Sequence, residues 1–523
     1  MLSPRPESID PTPLSAVSTA AGPVTELVAD AVAGAVTVTG VTLSTFSVRP
    51  GDLYAALPGA NVHGASYAAK AIDSGAVAVL TDEAGRRIIE GLTAEGEQPP
   101  PMVVVPDPRA VLARVAATVY GTALPDGPGV RTYGITGTNG KTTTAYLLTS
   151  ALRALGRTTG LIGTVETTIG EERVPSARTT PESPDLHALL RVMADRGIDD
   201  CVMEVSSHAL VLHRVDEVVY DIALFTNLSQ DHLDFHDGME DYFAAKASLF
   251  TPERARQAVV CVDDEWGRRV AQECTIPHRT VSSDPAVPAD FVITSVDGPD
   301  GRDFVLSGEG GQLALRSALP GAFNRTNTAM AAVALLLAGH ERDAVVEAVR
   351  AEPRVPGRME PVPAPEEAPD LPRVVVDFAH TPDAVASAVA ALREGAAGRL
   401  VALLGAGGSR DPGKRPAMGR AAADHADLVV VTDDNPRAED PAAIREAVAS
   451  GAREGAADVE VVPDRRVAIE HAIRAAAEHP GGVVALLGKG HETGQEIQGV
   501  VTPFDDRIVA AEVLQTMAQE NAR

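Results

Sequence analysis

Cysteine is scarce in this chain, which has three cysteines in 523 residues. Cys201, Cys261 and Cys274 form no closely spaced pair and no spacing typical of a metal site. The pattern excludes a disulfide framework and a cysteine-based metal centre. Scattered thiols of this kind favour a reducing compartment.

Long hydrophobic runs are also missing. The longest apolar runs, such as residues 329–338, are too short to cross a bilayer. The first fifteen residues, MLSPRPESIDPTPLS, lack the apolar core of a signal peptide. We therefore predict a cytoplasmic protein without membrane insertion.

Positive charge and aromatic side chains are both in short supply. Lysine and arginine number 45 against 72 acidic residues, which gives a net charge of −27, and aromatic residues make up 3% of the chain. Nucleic-acid binding needs a basic field and often aromatic stacking surfaces. Nucleic acid is therefore excluded as the main partner, whereas locally gathered cations could still bind a small acidic substrate.

The length of the chain exceeds what one hydrophobic core can organise, so several domains are expected. Alternation of apolar strands with helical patterns predicts an α/β protein of three domains. The predicted parts are a mobile lead-in (1–20), a small α/β domain (21–128), a central parallel-sheet domain (129–355) and a C-terminal Rossmann-like domain (356–523). The turn-rich segment 124–129 is predicted to be a linker.

The strongest local pattern is Tyr133-Gly-Ile-Thr-Gly-Thr-Asn-Gly-Lys-Thr-Thr-Thr144. An apolar strand ends at Ile135, and a helical pattern begins after Lys141. Loop amides, a helix N-terminus and a lysine together make a phosphate site, and Thr142 stands where a hydroxyl meets Mg²⁺. Ile135 occupies the position where the usual spacing has a glycine. Gly-Lys-Thr in this setting nevertheless predicts ATP binding rather than a plain turn.

Acidic and histidine residues follow two of the next strands. Glu204 ends an apolar strand, where it could hold Mg²⁺ or be a surface acid. Asp231, His232, Asp234 and His236 crowd into six residues after another strand, which favours a second metal or phosphate contact.

Three loops of the C-terminal domain also follow strands: Gly405–Arg415 with three cations, Asp433–Arg437, and Gly488–Glu492. Ligand crevices form at the carboxyl ends of parallel strands. A guanidinium for a carboxylate and a carboxylate for an ammonium together suit an amino acid.

Other polar residues leave alternatives open from their local pattern. Asn324 and Asn327 suit an adenine edge or a helix cap, and Arg358 suits a phosphate contact or an inter-domain salt bridge. Lys246 is an ordinary helix lysine by its local pattern.

Eight motifs occur in one order: GTNGKTT, EVSSHAL, TNLSQDHLDFH, FNRTN, PGRME, DFAHTPD, DDNPR and GKGHE. The set, spanning roughly residues 41–507, closely resembles the Mur ligases. The resemblance implies a domain for the UDP end of the substrate, a central ATPase domain and a C-terminal domain for an incoming amino acid. It implies that ATP activates UDP-N-acetylmuramoyl-L-alanyl-D-glutamate as an acyl phosphate, which the amine of diaminopimelate then attacks. A monomer with two Mg²⁺ sites is expected.

The resemblance also implies roles for individual residues. The ATP contacts would be Gly137, Thr138, Asn139, Gly140, Lys141, Thr142, Thr143, Asn324, Arg358 and His380. The metal ligands would be Thr142, Glu204, His232 and a carbamylated Lys246, and the catalytic residues Lys141, Lys246 and His232. The UDP-muramoyl-dipeptide contacts would be Thr45, Asn61, Thr179, Thr180, Ser206 and Arg214. The diaminopimelate contacts would be Arg410, Asp434, Asn435, Pro436, Arg437, Gly488 and Glu492.

The resemblance further implies that Arg437 favours diaminopimelate over lysine. Its guanidinium would meet the distal carboxylate, and leaving it unpaired with lysine would be costly. The sequence does not distinguish meso- from LL-diaminopimelate. Departures from the family pattern include Ser44-Thr45-Phe46 at the uridine site, as well as Gln230 and Phe378. The alternatives are a related ligase for lysine, D-alanyl-D-alanine or folylpolyglutamate, and a catalytically silent relative.

Overall fold

The computed structural model describes residues 4–22, 26–28, 36–123, 129–174, 178–296, 301–409 and 411–522. Its main sheets define three α/β units in chain order, and the predicted fold class is confirmed. The predicted linker 124–129 falls almost entirely outside the described residues. Within the described part, no helix combines the length and the apolar character needed to cross a bilayer.

The N-terminal unit is a small sheet flanked by helices. Its described elements are β1 Thr12–Pro13, α1 Leu14–Ala20, β2 Glu26–Val28, β3 Thr37–Val38, β4 Gly40–Thr42, β5 Asp52–Ala55, α2 Ala68–Asp73, β6 Ala78–Thr81, α3 Glu83–Leu92, β7 Met102–Val104 and α4 Pro108–Tyr120. The sheet order is β2-β7-β6-β5-β4, with β4 to β7 parallel and β2 antiparallel. Asp107 caps α4, and Gly121 ends it in the left-handed conformation.

Residues 4–20 are not the mobile lead-in that the sequence predicted. Leu14 and Val17 are fully buried in the core of the N-terminal unit. Arg5 forms a buried ion pair with Asp52, at 2.6 Å between Nη1 and Oδ2. The prediction failed because proline and serine obscured one apolar helix face that tertiary packing covers.

The central unit is built on a larger sheet. Its elements are β8 Arg131–Thr136, α5 Lys141–Ala154, β9 Thr159–Ile162, β10 Thr167–Ile169, β11 Glu172–Val174, α6 Ser183–Asp195, β12 Asp200–Glu204, α7 Ser207–Val211, β13 Tyr220–Phe225, α8 Met239–Ala247, β14 Ala255–Cys261, α9 Glu265–Glu273, β15 His278–Ser282, β16 Phe291–Ser295, β17 Asp303–Gly308, β18 Gly311–Arg316, α10 Ala322–Leu337 and α11 Arg342–Ala348.

Among the described residues this sheet has 11 strands in the order β11-β10-β9-β12-β8-β13-β14-β15-β16-β17-β18. The seven central strands of this order, β9-β12-β8-β13-β14-β15-β16, are parallel. Both edges of the sheet end in antiparallel hairpins. Each face packs against its own apolar cluster, so the middle strands read as continuous hydrophobic runs. Since β8 lies between β12 and β13, the carboxyl ends of these three strands share one edge.

The C-terminal unit has its own sheet with helices on both faces. Its elements are β19 Glu360–Val362, β20 Arg373–Asp377, α12 Pro382–Glu394, β21 Leu400–Leu404, α13 Lys414–Ala423, β22 Leu428–Val431, α14 Pro441–Ala452, β23 Asp458–Val461, α15 Arg465–Ala477, β24 Val483–Leu487, β25 Gly494–Ile497, β26 Val500–Pro503 and α16 Asp506–Asn521. The order of the main sheet is β19-β20-β24-β21-β22-β23, in which β19 is antiparallel and the other described strands are parallel; β25 and β26 form a separate antiparallel pair. The carboxyl ends of β24, β21 and β22 are therefore neighbours.

His187 lies where the N-terminal and central units meet. It is fully buried, its Nδ1 accepts from Thr122 Oγ1 at 2.7 Å, and its Nε2 donates to the Asp216 carbonyl at 3.2 Å. Both ring nitrogens are thus satisfied by the neutral imidazole. Burial lowers the pKa of His187 to about 4.

We expect this histidine to make folding sensitive to acid. An unfolded histidine has a pKa of about 6.5, so between pH 6.5 and 4 the unfolded chain binds more protons than the folded one. The free energy of unfolding should therefore fall as the pH is lowered through that window, by about 3 kcal/mol from this residue.

Chemical denaturation from pH 7 to 4 measures this effect. His187→Gln should flatten the pH dependence, whatever its effect on stability at pH 7. His479→Gln, at an exposed position, is the control and should leave the pH dependence unchanged. An identical slope in His187→Gln would contradict the assignment.

Candidate active site

A cavity of about 350 Å³ lies between the central and C-terminal units. The carboxyl ends of β8, β12 and β13 border it on one side, and those of β21, β22 and β24 on the other. The predicted site residues on its wall are Thr138, Asn139, Lys141, Thr142, Thr179, Glu204, Ser206, His232, Lys246, Arg358, His380, Asp434, Asn435, Arg437, Gly488 and Glu492. Residues from seven of the eight motifs thus meet in one place, and FNRTN contributes none of the wall residues.

The glycine loop between β8 and α5 has a backbone that glycine adopts without strain, and hydrogen bonds anchor it. Gly137 and Gly140 have φ of 146° and 85°, and a Cβ at Gly137 would collide with Thr226. The Asn139 amide donates to Asn227 Oδ1 at 2.9 Å. Lys141 Nζ donates to the carbonyls of Gly137 and Thr138, both at 2.9 Å. The lysine therefore lies against its own loop, where it can reach an anion seated at the start of α5.

Glu204 and Thr142 form a buried oxygen cluster at the end of β12. Glu204 is 1% exposed, and its Oε2 accepts from Thr142 Oγ1 at 2.9 Å. Thr164 donates to both carboxylate oxygens, from its amide at 2.8 Å and its hydroxyl at 3.0 Å. Arg358 Nη2 donates to Thr142 Oγ1 at 3.2 Å, across the boundary between the units. Carboxylate and hydroxyl oxygens are ligands suited to a hard cation.

Lys246 is not the ordinary surface lysine that its local pattern indicates. Its side chain is 1% exposed, Nζ donates to the Gly137 carbonyl at 2.8 Å, and it lies over the Tyr242 ring at 4.7 Å. Burial, together with the nearby charge of Lys141, holds the pKa of Lys246 well below its ordinary value. The fold thus favours the neutral, nucleophilic amine.

His232 and Asp231 lie beside the glycine loop in a turn where His232 has φ of 57°. Burial lowers the pKa of His232 to about 3, which favours the neutral imidazole that can bind a metal. Lys414 Nζ donates to Asp231 Oδ1 at 3.0 Å, and His380 Nε2 lies 3.6 Å from Oδ2. Burial acts to raise the pKa of Asp231, but His380, His232 and Lys414 together hold it below its ordinary value. Asp231 therefore connects the two units across the cavity.

The opposite wall carries a second polar group of residues. Asn435 Nδ2 donates to Glu492 Oε2 at 2.8 Å. Gly488 has φ of 106°, and a Cβ there would collide with Asp434. Burial raises the pKa of Asp434.

Arg437 lies on the cavity wall with its side chain 28% exposed, neither in the interior of the unit nor facing bulk water. Its Nη1 donates to the Gly408 carbonyl at 2.7 Å, and its Nε lies 3.5 Å from Glu496 Oε2. The backbone of Arg437 is left-handed, with φ of 52°, and exchanges hydrogen bonds with β25 and the residue after it. This geometry keeps the guanidinium at the edge of the cavity.

Several predicted site residues lie outside the cavity wall. Gly137, Gly140 and Thr143 belong to the glycine loop and the first turn of α5, and Pro436 precedes Arg437. Thr180 donates to the Glu204 carbonyl at 2.8 Å and to Ser206 Oγ at 3.4 Å, directly behind the wall. Arg214 pairs with Glu182 at 3.0 Å, and Arg410 is outside the described residues.

Thr45, Asn61 and Asn324 do not line this cavity. Thr45 follows β4 and is half-buried, while Asn61 is exposed after β5. Asn324 Nδ2 donates to the Pro320 carbonyl at 2.7 Å at the start of α10. Its Oδ1 accepts from Asn327 Nδ2 at 3.2 Å, and the predicted ATP contact of Asn324 stays a prediction.

Lys414 and Thr164 line the cavity but were not named as individual site residues, and Asp231 was predicted only as a member of the acidic and histidine cluster. The charge of the loop containing Lys414 and the acidic cluster containing Asp231 were signals for two of them. Thr164 follows β9 without any local signal, and only its contact with Glu204 reveals it.

Comparison with known protein families gives three matches in chain order. Residues 37–120 match the Mur ligase family, catalytic domain; residues 135–335 match the Mur ligase middle domain; residues 357–490 match the Mur ligase, glutamate ligase domain. Together they cover most of the chain.

Two similar curated relatives are both UDP-N-acetylmuramoyl-L-alanyl-D-glutamate–2,6-diaminopimelate ligases. The one from Streptomyces coelicolor is 50% identical over 517 residues, and the one from Streptomyces avermitilis is 48% identical over 521 residues; each alignment covers 98% of both chains. A solved structure of a ligase with the same name is 30% identical, with a TM-score of 0.66, and covers 97% of this chain and 99% of the other.

Proposed function

The chain belongs to the Mur ligase family, and we propose that it uses ATP to join diaminopimelate to the D-glutamate of UDP-N-acetylmuramoyl-L-alanyl-D-glutamate, a step of peptidoglycan precursor synthesis. One observation carries the proposal. The glycine loop with Lys141 and the loop with Arg437 line the same cavity, so a nucleotide phosphate and an amino acid can be bound face to face.

The chemistry has two steps. A carboxylate oxygen of D-glutamate attacks the γ-phosphorus of ATP, which releases ADP and leaves an acyl phosphate. The amine of diaminopimelate then attacks the acyl carbon, loses a proton and expels inorganic phosphate. Lys141 neutralises charge on the transferred phosphoryl group, and Arg358 and His380 support the nucleotide from the C-terminal unit.

The oxygen cluster on the central unit suits Mg²⁺. Among the described residues no group of three His, Cys, Asp or Glu side chains is arranged around a single point. Mg²⁺ in proteins is commonly coordinated by one or two carboxylates and completes its coordination shell with phosphate oxygens and water. Glu204 and Thr142 would hold one ion, and His232 with carbamylated Lys246 a second. The ions would neutralise the phosphates of ATP.

The other substrate residues are assigned from their positions. Thr179, Thr180, Ser206 and Arg214 would hold the muramoyl-dipeptide beside Glu204. Thr45 and Asn61 of the N-terminal unit would hold the uridine end.

The proposed domain bounds are 21–128, 129–355 and 356–523. We propose a monomer, because the cavity is formed within one chain, and a cytoplasmic location, because the three cysteines are scattered. Sedimentation of a dimer at assay concentration would contradict the monomer.

Phosphate release by the pure protein tests the proposed function. With ATP, Mg²⁺ and the UDP-linked dipeptide, release should depend on diaminopimelate, and L-lysine should support it at least about 30-fold less well, because Arg437 would lose its partner. Meso- and LL-diaminopimelate are assayed separately, since either could be the substrate. If lysine or D-alanyl-D-alanine were the better substrate, the assignment would be wrong.

A further inference from the structure

Lysine is rare in this chain, and its positions are unusual. Of 45 lysine and arginine residues only five are lysines, and three of them, Lys141, Lys246 and Lys414, line the cavity. A fourth, Lys489, lies directly behind the amino-acid side of the wall and is 0% exposed.

The Lys489 ammonium is fully occupied by acceptors. Nζ donates to the Gly494 carbonyl at 2.6 Å, to Glu492 Oε2 at 3.1 Å and to Asn435 Oδ1 at 3.4 Å. An ammonium has three protons, so three acceptors satisfy it. Two of these acceptors, Glu492 and Asn435, line the cavity.

Lys489 fixes the orientation of both partners. Asn435 Oδ1 accepts from Lys489 and from the Glu496 amide at 2.9 Å, so the Asn435 amide nitrogen must face Glu492, to which it donates at 2.8 Å. Glu492 Oε2 therefore receives two donors. Among the bonds of the described residues, this leaves Oε1 as the oxygen for a ligand's ammonium.

Packing alone does not account for a charged group at this position. A fully buried ammonium is costly to desolvate, and an apolar side chain of similar volume often serves stability equally well. Within the described structure the only acidic side chain bonded to Lys489 is Glu492. The charge is thus placed where it orients a cavity carboxylate.

We propose that Lys489 is a positioning residue for diaminopimelate, acting through Glu492 and Asn435 rather than by touching the substrate. The inference rests on the proposed function. Lys489 holds the two side chains as one unit, with a carboxylate oxygen and an amide N–H set for the zwitterionic end of the amino acid. Without it, both side chains would sample other rotamers and binding would weaken.

Steady-state kinetics of Lys489→Met test this role. We expect the KM for diaminopimelate to rise about 10- to 100-fold, the range of a lost charged hydrogen bond, while the KM for ATP stays within about twofold. Calorimetric binding of ADP with unchanged affinity shows that the variant is folded. If it fails this check, Lys489→Gln, which keeps a donor, is used instead. Arg474→Met, an exposed cation on α15, is the control and should match the unchanged protein.

A double-mutant cycle separates positioning from general disruption. If Lys489 acts through Glu492, Lys489→Met combined with Glu492→Gln should be little worse than Glu492→Gln alone. Additive losses, or a variant whose KM for diaminopimelate is unchanged, would overturn the inference. Failure of the unchanged protein to use diaminopimelate would instead refute the proposed function, so the two failures are distinguishable.

Discussion

Replacing Arg437 by alanine is expected to lower kcat/KM for diaminopimelate by about 30- to 150-fold, with little change in the KM for ATP. A charge-assisted hydrogen bond contributes about 2–3 kcal/mol, and each 1.36 kcal/mol is a factor of ten. The guanidinium lies on the cavity wall opposite the glycine loop, so its loss should affect the amino acid and not the nucleotide.

The backbone at Arg437 makes alanine a clean substitution. Its left-handed φ of 52° strains any residue with a Cβ, so arginine and alanine carry the same strain, whereas glycine would relax it. The backbone bonds to β25 do not depend on the side chain. The loop should therefore keep its shape in Arg437→Ala.

The same assay with L-lysine sharpens the test. Because lysine has no distal carboxylate, Arg437→Ala should not lower the poor use of lysine and should narrow the preference for diaminopimelate. Arg474→Ala, on the exposed face of α15, is the matched control. Unchanged kinetics with diaminopimelate would rule out the proposed contact.

Replacing Lys246 by alanine is expected to reduce ligation at least about a thousandfold, with partial recovery in added acetate or formate. The amine is buried, and burial together with the charge of Lys141 holds its pKa well below the ordinary value, which favours the neutral form that can add to CO₂. That addition forms an N–C bond, releases a proton and converts the neutral amine into an anion able to bind Mg²⁺. A small carboxylate can enter the vacated space and supply the same charge.

Lys141→Ala provides the contrast for the rescue experiment. It removes a cation that meets the phosphates, so a carboxylate should not restore its activity. Recovery is measured as phosphate release against acetate concentration, with chloride at equal ionic strength as the salt control. Full activity of Lys246→Ala without acetate, or equal rescue of both variants, would argue against the carbamate.

Local sequence correctly predicted the elements whose structure depends on residues close together in the chain. The glycine loop between β8 and α5 and the strand ending at Glu204 lie where they were predicted. Periodicity, glycine positions and helix starts are properties of short segments, so they can be read without the fold. The order of the eight motifs similarly identified the family.

The surroundings of Lys246, Asn324 and residues 4–20 could not be predicted from local sequence. Lys246 is exposed by its pattern but buried against the glycine loop, because α8 is folded onto residues more than a hundred positions earlier. Asn324 bonds the start of its own helix, which spacing could not distinguish from a ligand contact. Residues 4–20 are ordered by contacts with β5 and α4 that no local pattern contains.

The sequence by itself determined the α/β class, the phosphate loop, the family and the set of residues from which a ligase site could be built. The tertiary structure alone decided which of them meet. Strand order places β8 between β12 and β13, and β24 between β20 and β21, so loops far apart in the chain share one edge of each sheet. Burial then lowers the pKa of Lys246, because desolvation depends on everything packed around a group and not on its neighbours in sequence.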